Sequence, residues 1–403
     1  QGSKEMTAPV RVARKMELIQ ESITLKIHSA AQDLRAKGLD IANLTAGEPD
    51  FAVPDAVKEA AIEAVRANRS RYTPAAGIPE LREAVARKTN DQQPRGGRWA
   101  FSDVIVSNGG KQALFNAMLA LLDPGDEVLI PSPYWLSYPD MVKLAGGIPK
   151  FIWAPAAQGF KITPAQLKAA IGPKVKLLIL NSPCNPTGAV YTEAEFAALG
   201  EVLLAPEASH ICVLSDEIYD RIILGKTPFC SFLKGAPALK DRTVTVNGLS
   251  KSAAMTGWRI GWSVACAPIT RAILTIQGQS TSGINSLAQW ASLAALALPE
   301  AMFQHHIESY RNRRDLALEF LEKLSKIEVS SPEGAFYLFI GIGKYLREGE
   351  DSVAFAERIL EEANVAVVPG SPFGDPESIR LSFSGDERSL MEGCRRIASY
   401  LQG

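Results

Sequence analysis

Cysteine is scarce in this chain and falls into no pattern. The five present (Cys184, Cys212, Cys230, Cys266 and Cys394) are an odd set without a C-x-x-C spacing. That argues against a disulfide framework or a structural zinc site and fits a reducing compartment. Histidine is scarcer still, and His28, His210, His305 and His306 show neither metal nor triad spacing, so no metal is expected. H-E-x-x-H and G-x-S-x-G are both missing, which removes the metalloprotease and serine-hydrolase readings. No apolar run approaches the roughly 18 residues that a membrane span requires. Net charge is also lacking: 43 basic against 44 acidic residues leave −1, with no electrostatic case for nucleic acid or an anionic membrane. Arg313-Arg314 and Arg395-Arg396 sit among acidic residues on expected helices and read as solvated faces. Lys111 is followed by Gln112, so Gly109-Gly110-Lys111 is no Walker A loop, and Gly341-Ile342-Gly343 has no third glycine at the dinucleotide spacing. The start, Gln1-Gly2-Ser3-Lys4, reads as a cloning remnant and not a secretory signal, which makes cytoplasm the expected compartment.

What is there is an ordinary globular composition, 46% apolar and 22% charged, over 403 residues, a length that predicts two structural domains. From about 103 to 267 short β-branched runs alternate with helical patterns. Val104–Val106, Val128–Ile130, Leu177–Leu180, Ile211–Leu214 and Thr243–Val246 are the runs, of strand length. The expected fold class is α/β, a mostly parallel sheet in a large ligand-binding domain, with a smaller α+β domain formed by both termini. Residues 1–54 would contribute to the small domain, 55–300 form the large one, and 301–403 complete the small one. Gln92 to Gly97 reads as a polar loop.

Polar and aromatic residues gather directly after the runs, at the edge where open α/β sheets bind ligands. Asn247 to Arg259 is the most informative of these segments. It sets Lys251 past an apolar strand, next to Ser250, with Arg259 eight residues on. Burying a lysine is costly unless it is paired or neutralised, and imine formation with an aldehyde neutralises it. A hydroxyl and a bidentate cation suit a phosphate monoester. An aldehyde and a phosphate on one molecule mean pyridoxal 5′-phosphate (PLP). The Gly109-Gly110-Lys111 turn offers backbone N–H groups at a helix start, a phosphate cradle, although glycines also make ordinary βα turns. Asp216, two residues past its run, suits a protonated pyridine nitrogen or caps the next helix. Tyr219 and Asn185 are placed to meet the ring oxygen. Trp135 is either a face for a pyridine to stack on or a core aromatic. Arg380 interrupts a strand-like run and needs a carboxylate partner, from a structural acid or from a substrate.

With these residues in place the chain resembles the class I, fold-type I PLP aminotransferases, and among them the subgroup Iβ aspartate aminotransferases of bacteria and plastids. The resemblance runs from Ser22 to about Tyr400. It rests on Asn43 to Phe51, Arg71 to Gly77, the Asn185 turn, Ser215 to Tyr219, the Lys251 segment and Val367 to Gly370, six motifs in the family's order. It implies transfer of the amino group of L-aspartate to 2-oxoglutarate, with prephenate as an alternative acceptor. It implies a catalytic Lys251 holding PLP, helped by Asp216 and Tyr219. Gly109, Gly110, Lys111, Ser250 and Arg259 would hold the phosphate, and Trp135 and Asn185 the ring. Tyr72 would reach the phosphate from a second subunit, which makes a homodimer with shared sites. Arg380 would clamp the substrate α-carboxylate near the Gly47 backbone, while Lys111 and Thr24 would take the distal carboxylate. Glu21, Cys184, Ala253 and Trp262 depart from the family's usual residues without removing any of these groups.

Overall fold

The computed structural model describes residues 10–19, 21 and 23–402; Gln1 to Lys4 and Ser22 lie outside the described residues. In chain order the strands are β1 (Ala42–Asn43), β2 (Val104–Asn108), β3 (Glu127–Ser132), β4 (Ile148–Trp153), β5 (Val175–Asn181), β6 (Cys212–Asp216) and β7 (Thr243–Gly248). They continue with β8 (Ile260–Val264), β9 (Glu328–Val329), β10 (Tyr337–Gly341), β11 (Val365–Ala366), β12 (Val368–Pro369) and β13 (Ser378–Ser382).

The chain is α/β, and its largest sheet has seven strands in the order β2-β8-β7-β6-β5-β3-β4. All pairs are parallel except the two that β8 makes, antiparallel to β2 and β7. Its inner strands are buried on both faces, which is why most of them read as continuous apolar runs. Alternate residues feed opposite cores. Val104, Leu129, Leu178 and Val213 pack on one side, and Ile105, Val128, Leu177 and Leu214 on the other.

Two strands of this sheet escape the sequence reading. β4 is the edge strand, carries Pro149 and leaves Phe151 and Trp153 exposed, so it shows no clean run. β8 is broken by Gly261, yet only glycine fits there, because a Cβ would collide with the Gly110 amide nitrogen.

A second core joins the two ends of the chain. Ile27, Ala31, Ile41 and Leu44 pack with Ile307, Leu318, Phe355, Leu381 and Ile397. β1 pairs in parallel with β11, and β12-β13-β10-β9 form an antiparallel sheet. The solvated-face reading of Arg313 is wrong. It is buried and donates from both terminal nitrogens to Asp50, at 2.9 Å each. Arg395 does behave as a surface group that pairs with Glu392, whereas Arg396 is largely covered and ties Glu392 to Asp40. Nor is the 92–97 segment simply a loop. Gln92 ends a helix, and Gln93 is buried, donating to Ser231 and Thr245 and accepting from the Trp99 indole.

Candidate active site

The carboxyl edge of the large sheet collects the candidate groups. β2 leads into the Gly109-Gly110 turn, β3 into Trp135, β5 into the Asn181–Gly188 turn, β6 into Asp216, and β7 into Ser250 and Lys251. β8 runs antiparallel to β7, so its start lies at the same edge and brings Arg259 there.

Lys251 is half-buried, and its Nζ donates to the Gly47 carbonyl. Burial pulls its pKa down to about 8. Glu48 and Asp216 oppose that shift, while Arg380 and Arg259 add to it. Asp216 is the last residue of β6, not two residues past it. The ladder continues because Asn181 stands opposite it and Asn181 Nδ2 and Ser182 N donate to its carbonyl, at 3.0 and 3.2 Å. No helix begins after it, so it is not a helix cap. Its carboxylate accepts from the Tyr138 hydroxyl at 2.6 Å and from Ile218 N at 3.3 Å. Burial raises its pKa to about 6 despite these donors and the Lys251 charge. A carboxylate held there without a contacting cation suits a protonated ring nitrogen.

The opposite end of the site is a cradle for an anion. Gly109 sits at φ 85° and precedes the helix Gly110–Leu121, whose first N–H groups face the edge. A Cβ on Gly109 would lie 2.5 Å from Arg259 Nη2, so the guanidinium rests against bare backbone. Arg259 donates to the Thr256 carbonyl at 2.9 Å, and Ser250 is buried nearby in the chain. Lys111, in the first turn of the helix, has its Nζ 5.1 Å from the centre of the Trp135 ring. Its pKa is lowered by burial and by Arg259.

Arg380 answers its own question. It is buried on β13, and among the described residues no carboxylate pairs with it. Its guanidinium donates to Asn185 Oδ1 at 3.0 Å and to the Thr45 carbonyl at 3.4 Å, and its Nε finds no acceptor. The Tyr337 ring lies 4.3 Å from Cζ. Of the two partners the sequence allowed, a structural acid is thereby removed. Tyr219 is buried with its hydroxyl 2.8 Å from that of Tyr337, next to Arg380 in charge if not in contact.

Two candidates are not drawn in. Tyr72 is 102% exposed and is buried by nothing in its own chain. Thr24 keeps a buried hydroxyl without a partner among the described residues and is not bonded to Lys111. Sequence reasoning missed Tyr138, Tyr337, Thr45, Glu48 and Thr256. Thr45, Glu48 and Thr256 lie within segments singled out above without being given a role, and Tyr138 stands three residues after Trp135 on the same strand exit.

The buried acid, the amine of lowered pKa and the glycine-backed arginine together fit an aldehyde-bearing pyridine phosphate. Residues 40–397 match the family model described as aminotransferase class I and II. An aspartate/prephenate aminotransferase of Cereibacter sphaeroides is 44% identical over 96% of this chain and 97% of its own. The aspartate aminotransferase of Geobacillus stearothermophilus is 40% identical, covering 98% of this chain and 99% of that one. The crystal structure of the Rhizobium meliloti aspartate aminotransferase superposes with a TM-score of 0.92 at 40% identity, over 98% of this chain and 99% of that one.

Proposed function

Since the chain belongs to the class I and II aminotransferases, we propose that it exchanges the amino group of L-aspartate for the oxo group of 2-oxoglutarate, giving oxaloacetate and L-glutamate. PLP is the cofactor. When bound it supplies an aldehyde for the amine and a pyridine ring that withdraws the electron pair left at the substrate Cα. Lys251 Nζ holds it and, once released by substrate, takes the Cα proton. A pKa near 8 leaves a useful fraction of free amine at neutral pH. Asp216 keeps the ring nitrogen protonated, and Tyr138 in turn fixes Asp216. Asn185 and Tyr219 would hold the ring oxygen, and Trp135 would offer a face to the ring. The Gly109-Gly110-Lys111 turn, Ser250 and Arg259 would hold the phosphate. Arg380 takes the α-carboxylate, while Lys111, with Thr24, takes the distal one.

The observation that carries this reading is the buried Arg380, a cation with only neutral acceptors around it. The test is Lys251→Ala. Aspartate-dependent formation of glutamate should vanish, together with the borohydride-trapped cofactor adduct on the peptide bearing residue 251. Undiminished turnover would overturn the mechanism. Prephenate is the second acceptor to consider, because Lys111 and Thr24 do not distinguish it and a relative carries it in its name. A panel of oxo acids decides between the two. We read the working form as a cytoplasmic homodimer, supported by the bare Tyr72 and by five free cysteines.

A further inference from the structure

A carboxylate absent from the roles above stands next in sequence to the carbonyl that holds the amine. Glu48 follows Gly47, whose carbonyl accepts from Lys251 Nζ. Its Oε2 accepts from the Thr256 hydroxyl at 2.6 Å. Thr256 is engaged on its other side as well, its carbonyl taking Arg259 Nη1 at 2.9 Å. One short chain of bonds therefore ties the loop leaving β1 to the Lys251–Arg259 turn of the large sheet.

Four charged groups face Nζ: Glu48 and Asp216 favour the ammonium form, and Arg380 and Arg259 oppose it. Asp216 is already committed to Tyr138 and, in the aminotransferase reading, to the ring nitrogen. Glu48 is the remaining acid near the amine, and it is held in place without a cation in contact.

We propose that Glu48 is a positioning residue for Lys251: clamped by Thr256, it fixes the Gly47 carbonyl beside Nζ and supplies the counter-charge for the protonated amine. The consequence for turnover rests on the aminotransferase reading, whereas the contact itself does not. Glu48 thus sets how readily the freed amine keeps the proton it has taken from Cα, and so its ability to return it.

The experiment measures the proton affinity of Lys251 in the full-length chain in two ways. The first is competitive amine labelling against pH, read by mass spectrometry on cofactor-free protein. The second is the pH titration of the visible absorption of PLP-loaded protein. Glu48→Gln should lower both midpoints by a few tenths of a pH unit up to about one, because water screens the exposed carboxylate. Thr256→Val, which keeps the charge but frees it, should lower them by less, and Thr256→Ser should restore them. Midpoints that stay in place in Glu48→Gln overturn the proposal. So does a Thr256→Ser variant that behaves like Thr256→Val. If Glu48→Gln folds poorly, the Val and Ser pair still decides whether the clamp acts. A chain whose Lys251 labelling shifts as stated but which binds no PLP would sink the functional reading and leave this inference standing.

Discussion

Replacing Arg380 by methionine separates binding from folding. Arg380 is 4% exposed and its guanidinium has no anion among the described residues. Burying such an ion costs several kcal/mol even after relaxation. The protein offsets this with one charged-to-neutral hydrogen bond to Asn185 at 3.0 Å and a weaker one to Thr45 at 3.4 Å. The first contributes about 1.5–3 kcal/mol. The faces of Tyr337 and Phe373, 4.3 and 5.0 Å from Cζ, add a cation–π contribution of about 1–2 kcal/mol. Penalty and compensation nearly cancel. Methionine of similar length, leaving Asn185 with an unpaired oxygen, should therefore change unfolding free energy by no more than about 2 kcal/mol.

Binding should respond far more strongly. Truncating one partner of a buried charge pair costs about 2–5 kcal/mol, or roughly 30- to 5,000-fold in kcat/KM. Denaturant unfolding of the variant, with and without a non-reactive C4 dicarboxylate, tests both halves. The wild type should gain about 2.7 kcal/mol at a hundred times the dicarboxylate Kd, and Arg380→Met little. A variant that unfolds early yet keeps its kcat/KM and its dicarboxylate protection would show that Arg380 serves the fold and not the substrate.

Three other changes test the rest of the site. Gly109→Ala places a Cβ 2.5 Å from Arg259 Nη2 at a φ of 85°, and should weaken PLP binding at least tenfold by equilibrium dialysis while leaving the far-UV spectrum intact. Asp216→Asn should stabilise the cofactor-free chain. A folded pKa raised from 3.8 to about 6 means that the stability present below pH 4 is lost as pH rises to 6; Asn escapes this loss of about 3 kcal/mol. The two chains should then differ most at neutral pH and little below pH 4, while turnover collapses in the variant. Tyr72→Phe and Lys251→Ala, each impaired alone, should recover activity on co-refolding if Tyr72 crosses to a neighbouring site, and a mixture no better than its parts would refute the shared site.

Five strands of the sheet were legible because they are apolar runs buried in its interior, and so were the residues at its edge. Lys251, Asp216, Asn185 and Trp135 each follow an apolar run, and the right-handed βα crossovers that place one strand exit next to another need no further information. Arg380 betrayed itself as a charge inside a strand. What stayed hidden depends on contacts that no local pattern encodes. Arg313 reads as one of a solvated basic pair until Asp50, 263 residues away, turns out to be its partner. Tyr138 becomes informative only when its hydroxyl is seen on Asp216, 78 positions on. Glu48 and Thr256 lie 208 apart, and neither is unusual in its own segment. Strands β4 and β8 failed for local reasons, a proline on an exposed edge and a glycine forced by the close approach of the Gly110 backbone.

The three perturbed groups at the centre have a common explanation. Asp216 is pushed up to about 6, Lys251 down to about 8, and Arg380 down as well, each mainly by burial. Asp216 and Arg380 are charges that the folded chain keeps dry at a cost in stability, Lys251 is half-buried, and each points the same way: toward a ligand that brings its complement. An acid without a cation calls for a protonated nitrogen, an amine easily deprotonated for an electrophile, and a guanidinium without an anion for a carboxylate. No single small metabolite carries all three together with a phosphate for the Gly109 turn. In the proposed reading a pyridine phosphate and an amino acid would supply them together, one for Asp216, Lys251 and the glycine turn, the other for Arg380. On that reading burial divides the work between a cofactor and a substrate, and Lys251 would stand between them because it would touch first one and then the other.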